Sequence, residues 1–366
     1  MKKFIISVIA FFFIASLAQS QGCIMVRNIS GFGQYNFIDN SYSSSDWFVS
    51  VTSRYFKSYR DFKGTTPMKF PQDSVQTVRS FTTDITAGRF LANGWSLTLS
   101  LPVSAGSRTS KLEHGGISNP AHATHSFGIG DIRFTAHKWI LKPIPNQKIN
   151  FQFGLGIKLP TGNYRYEDYF YRKEDSAILA PVNPSIQLGD GGTGIITELN
   201  TFFVLSKKIS LYGNFYYLIN PREQNGTSNL LGRKPTTQAL MYRVKAGGDI
   251  NSVPDQYTIR AGADFKLDKW LFSAGLRHEG IPVHDLIGGS GGSRRPGHNT
   301  SVEPGIVYSM KRSSIYVYVP VIISRETKQS VADKKETELW NDPTKVIFGQ
   351  GGFANYLVFV GVQFRL

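Results

Sequence analysis

The chain has one cysteine, Cys23, in 366 residues, so no internal disulfide framework can hold it together. Charged residues are scarce at 18%, against 41% hydrophobic ones. That balance excludes the apolar-poor, charge-rich composition of a disordered chain. Beyond residue 20 no segment carries about 18 continuous apolar residues, the length that a membrane-crossing helix needs. Acidic residues are the minority, 26 against 41 Lys+Arg, and leave a formal charge of +15. Such an excess favours anionic partners: lipid headgroup phosphates, lipopolysaccharide or acidic solutes. No nucleic-acid-binding motif accompanies it. What the chain does have is 36 Gly, 26 Phe and 17 Tyr, a composition suited to strands and tight turns.

The first 20 residues read as an export signal. Lys2 and Lys3 form a basic start, Phe4 to Leu17 an apolar run of 14 residues, and Ala18 and Ser20 a small-residue cleavage site. The run is too short for a membrane helix. Cleavage removes two lysines and lowers the charge to +13. Cys23 follows the small Gly22, so a lipid-modified start is the alternative to ordinary cleavage. Residues 21–46 are expected to form an N-terminal periplasmic segment. If the exported remainder spans a membrane it must do so as a closed barrel, because strands satisfy their backbone groups in lipid only when no edge is left open.

Strict alternation is the dominant pattern. Ile149, Phe151, Phe153, Leu155 and Ile157 alternate with Asn150, Gln152, Gly154, Gly156 and Lys158. Trp95, Leu97, Leu99, Leu101 and Val103 alternate with serines, Thr98 and Pro102. Tyr257 to Leu267 and Tyr356 to Leu366 repeat the pattern. Several such runs exceed the usual five or six residues of soluble strands and suit the about 9–11 that cross a bilayer. Very short connections at Asn93-Gly94, Lys207-Lys208, Asp268-Lys269 and Lys311-Arg312 alternate with long polar ones near 107–126, 161–191, 221–254, 284–300 and 328–353. The prediction is an all-β fold: a transmembrane antiparallel barrel over 47–366. About twelve strands are expected at 47–62, 78–92, 95–106, 127–140, 148–160, 192–206, 209–220, 255–267, 270–283, 301–310, 313–327 and 354–366, with short periplasmic turns and long outer loops. Residues 239–250 would be an external hairpin, or else a wall strand that changes the count. Trp47, Trp95, Trp139 and Trp270 fall at periplasmic strand ends and are expected in an interfacial girdle.

On the polar faces lie Arg54, Asp84, Asp131, Arg133, Glu198, Arg260, Asp264, Arg277 and Glu303. A charge facing lipid at mid-depth costs about 2–4 kcal/mol, so these should line the lumen. Two roles are open to them. They could pair and brace the wall, or set a field that selects permeating solutes.

Other motifs carry less. His114, His122 and His125 match no structural zinc spacing. The segment 288–298 has glycines and two arginines but lacks the Lys-Ser/Thr ending of a phosphate loop. No Ser-His-acid set is evident, although His278 is placed for an outer rim. The expectation is no enzyme, no cofactor and no resident metal.

Three stretches resemble a family of outer-membrane channels named after the meta-cleavage pathway of phenol degradation. They are Gly128-Ile-Gly-Asp131, Gly154-Leu-Gly-Ile-Lys-Leu-Pro-Thr-Gly162 and Leu188-Gly-Asp-Gly-Gly-Thr-Gly194. The likeness covers about residues 127–206. Gln21 to Arg27 is similar to the mature start of barrel proteins from Bacteroidetes-type bacteria. The resemblance implies a barrel for uptake of small, often hydrophobic molecules. Separately, the last strand, ending in Phe364 and Leu366, resembles the signal read by barrel-insertion machinery. The expected function is a passive outer-membrane channel. A non-transporting barrel whose outer loops bind a partner is the alternative, and a barrel lipid hydrolase is a weaker one.

Overall fold

The computed structural model describes residues 46–68, 76–116, 120–142, 144, 147–173, 176–349 and 351–366. The signal segment, Cys23 and nearly all of the 21–46 segment lie outside them.

In chain order the strands are β1 (Trp47–Lys63), β2 (Thr77–Phe90), β3 (Trp95–Ser110), β4 (His122–Ile129), β5 (Arg133–Trp139), β6 (Ile149–Lys158), β7 (Glu167–Lys173), β8 (Ser176–Pro181), β9 (Gly194–Val204) and β10 (Ile209–Ile219). They continue with β11 (Gln224–Ser228), β12 (Ile250–Ser252), β13 (Gln256–Leu267), β14 (Trp270–Ile281), β15 (Gly297–Ser309), β16 (Ser313–Tyr318), β17 (Val321–Thr327) and β18 (Gly351–Arg365). Two helices, α1 (Gln238–Lys245) and α2 (Val331–Trp340), lie in connections.

Each wall strand pairs antiparallel with its sequence neighbours, and β18 closes on β1 from Phe48↔Arg365 to Phe62↔Gly351. The result is a closed barrel of twelve wall strands, with β4 and β5 forming one broken strand and β16 and β17 another. Proline causes both breaks. Pro102 of β3 has no N–H to offer opposite residues 130–132, and the ladder resumes at Ser100↔Arg133. Pro320 likewise separates β16 from β17, and its carbonyl instead accepts from Leu357 N at 3.0 Å. The expected strands thus stand, with shifted ends. β15 begins at Gly297 instead of 301, and β3 runs on to Ser110.

Residues 239–250 are not a wall strand, so the even count holds. Nor are they the expected hairpin: most of the stretch is α1, and β12 pairs with β11 in a small separate sheet. Thr237 caps α1 by accepting from Leu240 N.

The period of two sorts side chains as expected. Phe81, Ile85, Leu99, Phe134, Phe153, Leu155, Ile195, Leu276, Ile315 and Val360 are exposed on the outer face. Trp47, Trp95 and Trp270 are exposed at the short-turn end. Trp139 departs from the girdle. It lies opposite the buried Gln152 and packs edge-on against the buried Phe202 at 5.8 Å, so it points inward. At that end Asn93 (φ 59°) and Asp268 (φ 51°) take left-handed turn conformations, which Asn and Asp tolerate better than most residues.

The interior is densely filled on one side. Phe56, Val78, Leu271, Val307, Tyr316, Ile322, Leu357 and Phe359 form one buried apolar cluster. Two tyrosines lie flat against the wall because glycines face them. A Cβ at Gly361 would fall 2.2 Å from the Tyr316 ring, and one at Gly305 would fall 2.2 Å from the Tyr318 ring.

Candidate functional site

A belt of polar side chains runs along the inner wall from β6 to β15. Asn200 Nδ2 donates to Gln152 Oε1 at 3.1 Å, and Asn214 Nδ2 to Asn200 Oδ1 at 2.9 Å. Arg260 Nη1 donates to Asn214 Oδ1 at 3.1 Å, and its Nη2 lies 2.5 Å from Glu303 Oε1. The other Glu303 oxygen is 3.7 Å from Arg277 Nη1, and Arg277 Nη2 lies 2.6 Å from Glu279 Oε2. The guanidinium of Arg260 lies over the Tyr212 and Tyr318 rings, and that of Arg277 over Phe359. Arg260, Arg277, Glu279 and Glu303 are all buried to within 2%. Buried charge at this density requires partners, and the belt supplies them.

Two further pairs continue the polar lining from β9 towards β2. Arg133 of β5 donates to Asp84 of β2, and His137 Nε2 lies 3.1 Å from Glu198 Oε2. Arg54 is buried with its guanidinium over Phe56. Asp264 is buried on the inward face of β13, opposite Ser273 of β14.

Asp131 is the exception among the nine sequence candidates. It lies on no strand but in the gap between β4 and β5. Its Oδ1 accepts from Gly162 N at 3.0 Å, its Oδ2 accepts from Asp190 N at 3.2 Å, and Lys158 Nζ lies 3.6 Å from Oδ2. Lys158 also donates to both Asp190 oxygens. Thr161 Oγ1 donates to Gly130 O at 2.8 Å and accepts from Ile132 N at 2.9 Å. The three glycine-rich stretches singled out in the sequence thus meet in one brace. Gly189 is required there, since a Cβ would fall 2.4 Å from Asp131 Oδ1.

The brace holds both ends of the connection between β6 and β9, which turns into the barrel. Its 3-10 turn at Pro184–Ile186 puts Ile186 against Gly106 of β3, and Ser126 Oγ donates to Ile186 O at 2.5 Å. Val182 and Ile186 join the apolar cluster of the wall. The lumen of a twelve-stranded barrel is wider than its own side chains fill, and this inserted loop narrows it. The expected long outer loops are present, and this one folds back into the barrel. Beside the brace a cavity of about 80 Å³ is lined by Asp131, Arg133, Lys158, Asp190 and Tyr216.

Above this level the remaining connections bind one another. Arg108 Nε donates to Glu113, and Asn183 Nδ2 donates to Glu113 Oε1 at 2.8 Å. Burial opposes charging of Glu113, but the Arg108 guanidinium and the hydrogen bonds from Arg108 and Asn183 outweigh it and hold the carboxyl below its ordinary range. Arg294 and Asp285 pair at 2.5 Å. Asp255 accepts from Asn220 N, Leu286 N and Tyr217 Oη.

The belt explains which partners the sequence concealed. His137 and Glu279 share parity with Arg133 and Arg277 and were legible from it. Lys158 stood on the polar face of its strand. Asp190 and Glu113 lie in connections, where no period marks them. His278 bonds Thr300 Oγ1 and Tyr257 Oη. No group of three metal-ligating side chains occurs among the described residues.

No family model matches the chain, and no curated protein matches it. Among solved structures, an outer-membrane channel from Pseudomonas putida F1 superposes over 90% of this chain and 98% of its own, at 11% identity and a TM-score of 0.57. The Ralstonia pickettii toluene transporter TbuX (9% identity, 89% and 90% covered, TM-score 0.40) and a Pseudomonas aeruginosa FadL homologue (11%, 87% and 90%, 0.39) are looser. The first likeness is one of fold. The closed barrel and its apolar outer face make the protein a bacterial outer-membrane β-barrel.

Proposed function

We propose that the protein is a passive channel for small molecules, in which the loop between β6 and β9 forms the constriction. The observation that carries this is the insertion of Val182 and Ile186 into the lumen, against an apolar cluster on one side and alongside a belt of paired charges. A wall that served only as a scaffold would have no need of a braced element across its bore. The charges of Arg54, Asp84, Asp131, Arg133, Glu198, Arg260, Asp264, Arg277 and Glu303 then set the field that a solute meets. Those in pairs present alternating signs, so they orient a polar solute without trapping it. The glycine-rich resemblance supports the same reading, as does the fold shared with a known channel. Insertion machinery would recognise the apolar last strand, β18.

A non-conducting barrel is favoured by one observation: the apolar cluster packs across the loop as tightly as a protein core. Planar-bilayer recording separates the two. Discrete conductance steps, together with solute uptake into proteoliposomes, are expected; a folded barrel silent in both assays would establish the scaffold instead.

A further inference from the structure

On the loop side of the barrel the converging connections leave an open cavity of about 460 Å³. Five arginines line it (108, 233, 243, 294 and 295) against three carboxylates, Glu113, Asp333 and Glu336. The arginines differ in what they already hold. Arg108 is occupied by Glu113, and Arg294 by Asp285. Arg243 donates to Gly248 O and Arg295 to Asn183 Oδ1, both uncharged acceptors. Arg233 Nε donates only to Leu230 O, also uncharged. Among the described residues none of these three makes an ion pair.

The acids are less available to them than their number suggests. Asp333 accepts from Ser330 N and Gly349 N as the cap of α2. Glu336 remains as the carboxylate nearest in effect to Arg243. Burial disfavours the charged form of Arg243 by more than its neighbours restore: Glu336 and Asp333 offset the repulsion of Arg295 and Arg233 but not the loss of hydration. The same cavity presents Leu231, Ile347 and Phe348. A pocket that combines convergent guanidinium groups with an apolar wall suits an anion with an apolar body.

We propose that this vestibule binds small organic carboxylates, with the carboxylate on Arg243 and Arg295 and the hydrocarbon part against Leu231, Ile347 and Phe348. Arg233, exposed at the rim, raises the local concentration of anions. The proposal deepens the channel reading by naming the solute class, and rests on that reading only for its physiological use.

The test is calorimetric titration of the full-length barrel in a zwitterionic detergent with hexanoate, hexanol, acetate and inorganic phosphate, with single-channel conductance in KCl recorded on the same preparations. Hexanoate should bind at least tenfold more tightly than either hexanol or acetate, and addition of salt should weaken it. The double variant R243Q/R295Q should lose at least tenfold in hexanoate affinity while still showing heat-modifiable gel migration. Should that variant fail to fold, the exposed R233E serves, with an expected loss of several-fold. Equal binding of hexanoate and hexanol, or unchanged affinity in a folded variant, overturns the proposal. Preference for phosphate over hexanoate overturns it in favour of an inorganic anion site. Binding without conductance would defeat the channel reading and leave this site standing; conductance without binding would do the reverse.

Discussion

Arg260 and Arg277 stand directly opposite each other in the register of β13 and β14, and both point into the lumen. Two guanidinium groups so placed repel, and like charges across a ladder destabilise it. Glu303 on β15 is diagonal to Arg277 and reaches Arg260 across Gly275 of β14, and its two oxygens make the arrangement stable. The Glu303→Gln variant should therefore lose far more than one hydrogen bond, about 3–5 kcal/mol, because it removes the carboxylate paired with the buried Arg260 and leaves Arg277 to Glu279. Urea unfolding in lipid vesicles, followed by tryptophan fluorescence, measures this. A loss below about 1 kcal/mol, the range of an ordinary exposed pair, would contradict it.

Asp131 is expected to govern the loop and not the wall. Asp131→Ala removes the acceptor for Gly162 N and Asp190 N and one counter-charge of Lys158. Each charge-assisted bond is worth about 1.5–3 kcal/mol. The strands do not depend on it, so heat-modifiable migration should persist while conductance rises and becomes noisier. Unchanged conductance would separate the brace from the constriction.

Gly106 offers an independent way to move the same loop. A Cβ there would fall 2.8 Å from Ile186 Cβ, too close to be accommodated without a shift. Gly106→Val should push the 3-10 turn away from β3 and enlarge the bore. Uptake into proteoliposomes of solutes just too large for the unmodified barrel reports the change.

Acid should loosen the outer clamp between Arg108 and Glu113. The folded value of Glu113 lies below its ordinary 4.5, so its contribution is complete above that pH and is lost as pH falls through the folded value. His114 acts in the same direction. Burial lowers its value below 6.5, so the folded state resists the protonation that the unfolded state accepts as pH falls. Hydrogen-exchange protection of residues 108–116, corrected for intrinsic rates, should decline from pH 6.5 downwards, and further below 4.5. Glu113→Gln should remove the second decline and leave the first.

Charge on the outer face should be costly where charge on the inner face is not. Leu155 is 64% exposed on the outer face of β6, in the apolar band. Leu155→Arg should cost about 2–4 kcal/mol, as for a cation near the bilayer midplane. The same urea titration in vesicles measures it, and a neutral result would mean that this face does not meet lipid.

The sequence alone carried the barrel. A strand crossing a closed wall must turn one face to lipid and one to the lumen, so the period of two was written along β6, β3 and β18 regardless of their neighbours. It also carried the parity of the lumen charges, and the alternation of short and long connections that yields twelve strands. Trp139 shows its limit. Position along the strand placed it in a girdle, but its parity with Arg133 and His137 turned it inward, against Phe202.

Only the tertiary structure decided what meets in the lumen. Gly128 to Asp131, Gly154 to Gly162 and Leu188 to Gly194 are separated along the chain, and each alone reads as a turn. They become one brace because β4, β5 and β6 are adjacent in the wall and the loop after β6 folds back between them. The same holds for the vestibule, where Arg108 comes from the end of β3 but Arg233, Arg243, Arg294 and Arg295 come from connections with no period of their own. A local pattern encodes which face of a strand is apolar. Which charges meet across a bore depends on contacts between segments far apart in the chain, and those exist only once the barrel has closed.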